Sequence, residues 1–201
     1  MQKDNQLKQI VKLISRNGVL RPRDLDVYGI PREYLRQLYE AGQLDRAGRG
    51  LYVLADAEVT ENHTFAQAAK RVPKGIISLL SALRFHELTT QLPFEVWMTI
   101  EAKAWRPKVD RPRIRFMRSS GKAFTQGIVI HNIEGVSVKI YNPAKTVVDC
   151  IKYRNKIGLD VAIEALRDCI TQRKCTMDEL WVYAKICRVT NVMRPYMEAI
   201  V

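Results

Sequence analysis

Leu44-Asp45-Arg46-Ala47-Gly48-Arg49-Gly50-Leu51-Tyr52-Val53-Leu54 is two short runs on either side of a Gly-Arg-Gly tip. That pattern predicts a β-hairpin, because glycine takes the positive φ angles that a tight chain reversal needs. The residues before the hairpin show what it belongs to. Leu7, Ile10, Val11 and Ile14 recur at i, i+3, i+4 and i+7, one face of an amphipathic helix, and Asn17-Gly18 ends it as a left-handed cap. Arg21 to Tyr28 predicts a second, short helix, with Pro22 in its first turn and Gly29 after it. Ile30-Pro31 opens a third, with Pro31 suited to the first helical position. In that helix Leu35, Leu38 and Tyr39 are expected to face inward, with Arg32, Glu33, Arg36, Gln37 and Glu40 on the other side.

Three helices followed by a basic-tipped hairpin is the order of a winged helix-turn-helix. In that arrangement the third helix enters the major groove of double-stranded DNA, where Arg32, Arg36 and Gln37 can hydrogen-bond base edges. Arg46 and Arg49 on the wing would meet phosphates or reach the minor groove, and Arg21 and Arg23 complete the candidate DNA-binding set. A charged face merely held in solvent is the competing reading. The order of the four elements, two of them basic on one side, favours DNA.

Outward from this block, Asp56 to Asn62 is polar and acidic and reads as a linker, giving domains at 1–58 and 59–201. Each half has enough apolar periodicity to bury its own core. Phe65, Ala68, Ala69 and Val72 mark a helix stopped by Pro73, and another apolar helix runs from Ser78 to Leu88. Phe94, Val96, Met98 and Ile100 alternate with Glu95, Trp97, Thr99 and Glu101, a period-two strand, and Ile114 and Phe116 alternate with Arg113 and Arg115. Residues 128–133 and 136–140 flank Glu134-Gly135 as a hairpin. The larger domain should hold a small, mostly antiparallel sheet of about four strands. Its last 60 residues read as helical: Asn142 caps a helix with Pro143 at its first position, Leu159, Ile163, Leu166 and Ile170 share a face, and Thr176 with Glu179 forms a capping box before Leu180, Tyr183, Ala184 and Cys187. The expected class is α+β.

The chain has 33 Lys and Arg against 21 Asp and Glu, a net charge of +12, and an excess of that size points to a polyanionic partner. Lys103, Arg106, Lys108, Arg111, Arg113, Arg115, Arg118 and Lys122 face a single acid, Asp110, so that segment alone carries +7. Pro107 and Pro112 make its first half a loop, with Trp105 inside it. The segment is a candidate second polyanion contact, to DNA phosphate or to an acidic protein face, or else a solvated basic loop.

No apolar run reaches the roughly 20 residues of a membrane span, and the first residues lack the apolar stretch of a signal peptide. A cytoplasmic protein without membrane contact is expected. Cys150, Cys169, Cys175 and Cys187 include no C-x-x-C pair, so no metal site is expected; Cys169 and Cys187 read as small core hydrophobes. His63, His86 and His131 are scattered, His86 reads as a satisfied core histidine, and no phosphate-cradling glycine motif is present, so no catalytic site and no cofactor are expected. Glu101-Ala102-Lys103 at a strand end matches half of a Mg-dependent nuclease motif. The acid such a site also needs has as near upstream candidates only Glu87, on an expected helix, and Glu95, on the same strand, so a nuclease using Glu101 and Lys103 is a remote alternative.

Gly18-Val19-Leu20-Arg21, Arg23-Asp24-Leu25, Gly29-Ile30-Pro31-Arg32 and Gly48-Arg49-Gly50-Leu51-Tyr52 resemble the N-terminal domain of the AbiE-type antitoxins, regulators of type IV toxin–antitoxin (abortive infection) systems. Ile77-Ser78-Leu79-Leu80-Ser81-Ala82-Leu83, Leu88-Thr89-Thr90-Gln91, Pro143-Ala144-Lys145-Thr146-Val147-Val148-Asp149-Cys150 and the run from Lys152 to Asp160 are similar to the family's second domain. The resemblance implies a repressor that binds inverted repeats in its own promoter, as monomer or dimer. It also implies a second domain that supports repression and opposes a nucleotidyltransferase-type toxin. It supports Arg32, Arg36 and Arg49 as DNA contacts and identifies no toxin-facing residue. A lone regulator, or an interaction module without a toxin partner, is the alternative.

Overall fold

The structure, a computed structural model, describes residues 2–55 and 60–200. The chain is α+β and divides into two compact units. The first takes Met1–Pro73, Val109–Pro112 and His131–Val138, and the second takes Lys74–Lys108, Arg113–Ile130 and Lys139–Val201. The linker expected at Asp56 to Asn62 falls largely on 56–59, outside the described residues. The helix after it, expected in the second domain, belongs instead to the first unit.

The first unit opens with α1 (Gln2–Asn17), a 3-10 helix (Pro22–Tyr28), α2 (Glu33–Glu40) and a hairpin of β1 (Leu44–Gly48) and β2 (Leu51–Leu54), followed by α3 (His63–Arg71). Ile10, Ile14, Leu20, Leu25, Leu35, Leu38 and Leu44 form its core, which is why the i, i+3, i+4 pattern of α1 was readable. Leu20 and Tyr52 exchange two backbone hydrogen bonds of 2.9 Å, so the segment after α1 lies against the hairpin. Arg21 Nη1 donates to the Lys70 carbonyl (3.0 Å) and Lys70 Nζ reaches Asp24 (3.4 Å), which fastens α3 to the helices before it. Gly18, at φ +64, caps α1 as expected; a β-carbon there would lie 1.4 Å from the Glu134 carbonyl oxygen, so only glycine lets the two turns abut.

Three details differ from the sequence reading. The second helix is 3-10, and α2 starts at Glu33, because its entry closes with i→i+3 bonds from Tyr34 to Pro31 and from Leu35 to Arg32. Pro31 therefore precedes the helix. Tyr39, expected inside, is 38% exposed and stands edge-on to Tyr52 at 6.5 Å.

The second unit contributes β3 (Ile76–Ile77), α4 (Leu79–Phe85), β4 (Val96–Glu101), β5 (Ile114–Ser119), α5 (Lys122–Thr125), β6 (Ile128–Ile133), β7 (Val136–Tyr141), α6 (Pro143–Lys152), α7 (Arg154–Ile157), α8 (Leu159–Thr171), α9 (Met177–Cys187) and α10 (Thr190–Glu198). The residues at the tip of the β6–β7 hairpin count with the first unit. The sheet is five-stranded, in the order β5-β4-β3-β7-β6. The expectation of a mostly antiparallel sheet is corrected: β3 pairs antiparallel with β4, but β3 with β7 and β4 with β5 are parallel. A parallel neighbour needs a crossover of about a dozen residues, and the proline-bearing basic segment between β4 and β5 supplies it. The sequence reading also missed β3, whose two residues are too few for any periodicity.

β4 is buried along both faces, not one. Trp97 is 4% exposed and Thr99 donates to the buried Ser78 hydroxyl at 2.8 Å. The cap of Asn142 on α6 and the capping box of Thr176 and Glu179 on α9 form as expected. Leu79, Leu83, Val147, Val148, Ile151, Ala162, Leu166, Leu180 and Met193 fill this unit's core. Cys169 is not a free thiol: it forms a disulfide with Cys175, Cα to Cα 5.7 Å, while Cys150 and Cys187 are free and buried. His86 Nε2 lies 2.7 Å from the Tyr141 carbonyl, a satisfied partly buried histidine. Among the described residues no helix is long and apolar enough to cross a membrane, and no group of three or more His, Cys, Asp or Glu is placed to hold a metal.

Candidate nucleic-acid interface

The basic candidates of the first unit divide by what already holds them. Arg32, the N-cap residue of α2, and Arg36 within it are exposed at i and i+4. Arg32 Nε donates to Asp26 at 2.8 Å and a second bond joins the same pair; this hydrogen bonding holds the Asp26 carboxyl below its usual range and raises Arg32. Arg36 Nε donates to Glu40 at 2.7 Å. Both pairs are open to water, where such a pair contributes little and constrains the side chains weakly. Gln37 is half-buried and lines a cleft of about 680 Å³ against α1, together with Lys3 and Lys8. The helix thus presents Arg32 and Arg36 together and turns Gln37 toward its neighbour.

Arg21 is spent on structure: besides the Lys70 carbonyl it binds Asp24 through Nη2 at 3.0 Å, closing the start of the 3-10 helix. Burial pushes the Asp24 carboxyl up, but bonds from Arg21 and the nearby Lys70 outweigh it, and it lies below its ordinary value. Arg23 is exposed, with no ion-pair partner among the described residues. Arg46 folds back on the hairpin's foot, 4.6 Å from the Tyr39 ring centre and 5.6 Å from that of Tyr52, so its aromatic neighbours hold it by cation–π attraction. Arg49 is exposed at the tip.

Sequence reasoning missed Arg71. It extends from the end of α3 under the tip: a β-carbon at Gly48 would lie 2.9 Å from its Nη2. Among the described residues its Nε is buried without a hydrogen-bond partner, and burial lowers the pKa of its guanidinium, with Asp110 opposing and Arg49 adding to that shift. An arginine with an unmet donor beneath an exposed arginine makes the tip a place for an anion. Only the arginine after Ala68, Ala69 and Lys70 was visible in the sequence, and nothing there linked it to the hairpin.

The +7 segment is shared between the units, with 109–112, including Arg111, in the first. In the second, Arg115 stacks over Trp97 at 4.7 Å, Arg106 lies 5.6 Å from the Phe116 ring, and Arg118 Nη1 donates to the carbonyls of Ala104, at 3.1 Å, and Ala102. Lys103, Lys108 and Arg113 are exposed and form no ion pair among the described residues. Glu101 ends β4 in solvent and Lys103 follows in a turn.

One of the scattered histidines, His63, sits in a hydrogen-bonded network. His63 Nδ1 donates to Glu134 at 2.6 Å, Gln67 donates to its other nitrogen at 2.8 Å, and the Thr60 amide and hydroxyl both donate to the same carboxylate. The network ties α3 to the Glu134-Gly135 turn inside the first unit.

A solved structure is similar in fold. It is the crystal structure of the RV2827C protein from Mycobacterium tuberculosis, at TM-score 0.61 and 13% identity, covering 90% of this chain and 71% of that one. A search of curated proteins found no match. Residues 8–55, which run from within α1 through the hairpin, match the family described as transcriptional regulator, AbiEi antitoxin, the family that the sequence itself resembles.

Proposed function

We propose that the protein is a sequence-specific DNA-binding repressor, a cytoplasmic antitoxin that controls its own promoter, with its first unit acting as a winged helix-turn-helix. One observation carries this reading. The residues that match a regulator family fold into helices and a hairpin that expose Arg32, Arg36, Arg23 and Arg49. α2 would lie in the major groove with Arg32 and Arg36 exchanging Asp26 and Glu40 for base edges, and the tip would hold phosphate through Arg49 with Arg71 behind it. Gln37 would contribute less than the two arginines, and Arg21 would act by holding the unit together. The second unit, with its basic segment, would support repression and face a nucleotidyltransferase-type toxin, as the family resemblance implies.

Binding of the full chain to its promoter DNA, followed by anisotropy over a range of salt concentrations, tests this. The logarithm of affinity should fall steeply with the logarithm of salt, and Arg49→Ala should reduce the slope by about 1. Neutralising Arg111, Arg113 and Arg115 together should reduce it by roughly 2 to 3 more if the segment also lies on DNA. A flat salt dependence in the native chain would remove the DNA reading.

A further inference from the structure

The second unit contains a cavity of about 560 Å³ between the end of β5, the start of α5, the end of α6 and the end of α9. Arg118, Lys122, Lys152 and Arg188 line it, with Ser119 and Ser120 beside them and Ala102, Ala123 and Ile186 as its apolar wall. No carboxylate is among its lining residues, and none of the four cations forms an ion pair among the described residues. Four like charges brought together without a counter-charge repel one another, and an anion relieves that cost. Asp149 acts on Lys152 through space, but it is buried, bound to Lys145 and accepting the Cys187 thiol at 3.5 Å, so it does not serve as that anion.

The fold supports the arrangement. Arg118 is held at the rim by the carbonyls of Ala102 and Ala104, and the Tyr153 hydroxyl donates to its backbone carbonyl at 3.2 Å. Arg188 ends α9 in the left-handed conformation, φ 59 and ψ 43, and Lys152 is the last residue of α6. The charges thus come from four different elements, which a merely solvated basic run would not give. The volume falls within the several hundred Å³ usual for small-molecule sites.

We propose that this cavity binds a small polyphosphate ligand, of the nucleoside di- or triphosphate class, with the four cations on its phosphates and the alanine and isoleucine wall against its remaining part. The ligand is bound and not transformed by a thiol: burial pushes Cys187 up to about 11, so the one cysteine at the cavity stays protonated at neutral pH. The site goes beyond the DNA reading and does not depend on it.

Calorimetric titration of the full chain with pyrophosphate, with ATP and with inorganic phosphate, at physiological salt, tests the proposal. Pyrophosphate and ATP should bind with one-to-one stoichiometry, at least about tenfold tighter than inorganic phosphate, since each charge-assisted contact adds a factor of that order. Lys152→Gln and Arg188→Gln should each weaken binding about tenfold or more, Lys152→Arg should retain most of it, and Arg167→Gln, exposed on α8, should leave it unchanged. Thermal melting of each variant, compared with the native chain, separates lost binding from lost folding. Absence of pyrophosphate and ATP binding to the folded native chain would overturn the proposal. So would a loss confined to DNA binding in Lys152→Gln and Arg188→Gln, which would make the cavity a contact for a nucleic-acid backbone.

Discussion

Arg36–Glu40 on α2 and Lys145–Asp149 on α6 are ion pairs with the same i, i+4 spacing in opposite surroundings. The side chains of the first are 75% and 57% exposed and those of the second 1% and 9%. In water the attraction between two charges is small and is offset by the cost of holding two long side chains. In a dry interior the same attraction is large, but so is the loss of hydration, and the pair persists only where further bonds complete it. α9 and β7 supply these: the Cys187 thiol donates to Asp149, and the Lys145 ammonium lies 4.3 Å from the centre of the Tyr141 ring. Burial pushes the Asp149 carboxyl up against the pull of Lys145. One spacing thus holds an exposed pair in the first unit and a buried one in the second.

The largest expected effect follows from removing half of the buried pair. Lys145→Ala should destabilise the chain by about 3–5 kcal/mol, because Asp149 is left buried without its counter-charge. Lys145→Met with Asp149→Leu should recover most of that loss. Urea unfolding of the single and double variants measures both, and a single-variant cost under about 1 kcal/mol would erase the contrast between the pairs.

On the exposed side the readout is recognition. Arg36→Ala should weaken operator binding by about tenfold or more and binding to random DNA by less, with unchanged melting. An equal loss on both DNAs would make Arg36 a phosphate contact, and α2 would no longer be the reading helix.

A third pair lies between the two extremes. The His63–Glu134 side chains are 16% and 12% exposed. Burial pushes the Glu134 carboxyl up, but hydrogen bonds from His63 and Thr60 outweigh it and hold it below its ordinary value of 4.5. A carboxyl depressed in the folded state contributes stability that is present above its unfolded value and lost as pH falls through the folded one. The native chain should therefore lose stability below about pH 4.5, and Glu134→Gln should be less stable at pH 7 but show a shallower acid loss. Parallel acid curves for the two would show that the network does not titrate with folding.

The sequence was most legible where a local rule decides the structure. The hairpin around Gly48-Arg49-Gly50, the Gly18 cap, the Asn142 cap and the Thr176 capping box each depend on a few neighbouring residues, and each formed where expected. Features that need distant segments were not legible. The parallel pairing of β4 with β5 depends on a crossover, the Glu134 network joins residues about 70 apart, and Arg71 meets the tip only through the fold. For the candidate site the same limit applied side chain by side chain. Arg21, Arg32, Arg36, Arg46 and Arg49 look alike in sequence, yet Arg21 is tied to Asp24 and Lys70, and Arg46, though exposed, lies over two tyrosine rings.

The smallest expected effect tests whether the exposed partner is replaceable. Glu40 holds Arg36 when no DNA is present, and its carboxylate would face DNA phosphates as a like charge. Glu40→Ala should therefore shift the melting temperature by under about 2 °C, since an exposed i, i+4 pair contributes little. The same change should strengthen DNA binding by a factor of about 2 to 5, through a freed arginine and a removed repulsion. The gain should shrink as salt rises, because screening weakens the repulsion it relieves. Combining Glu40→Ala with Arg36→Ala separates the two causes: the part of the gain that survives without Arg36 is repulsion, and the part that vanishes is the freed side chain. Weaker DNA binding in Glu40→Ala would mean that Glu40 orients Arg36 toward its base, and the exposed pair would then be as fixed in function as the buried pair is in structure.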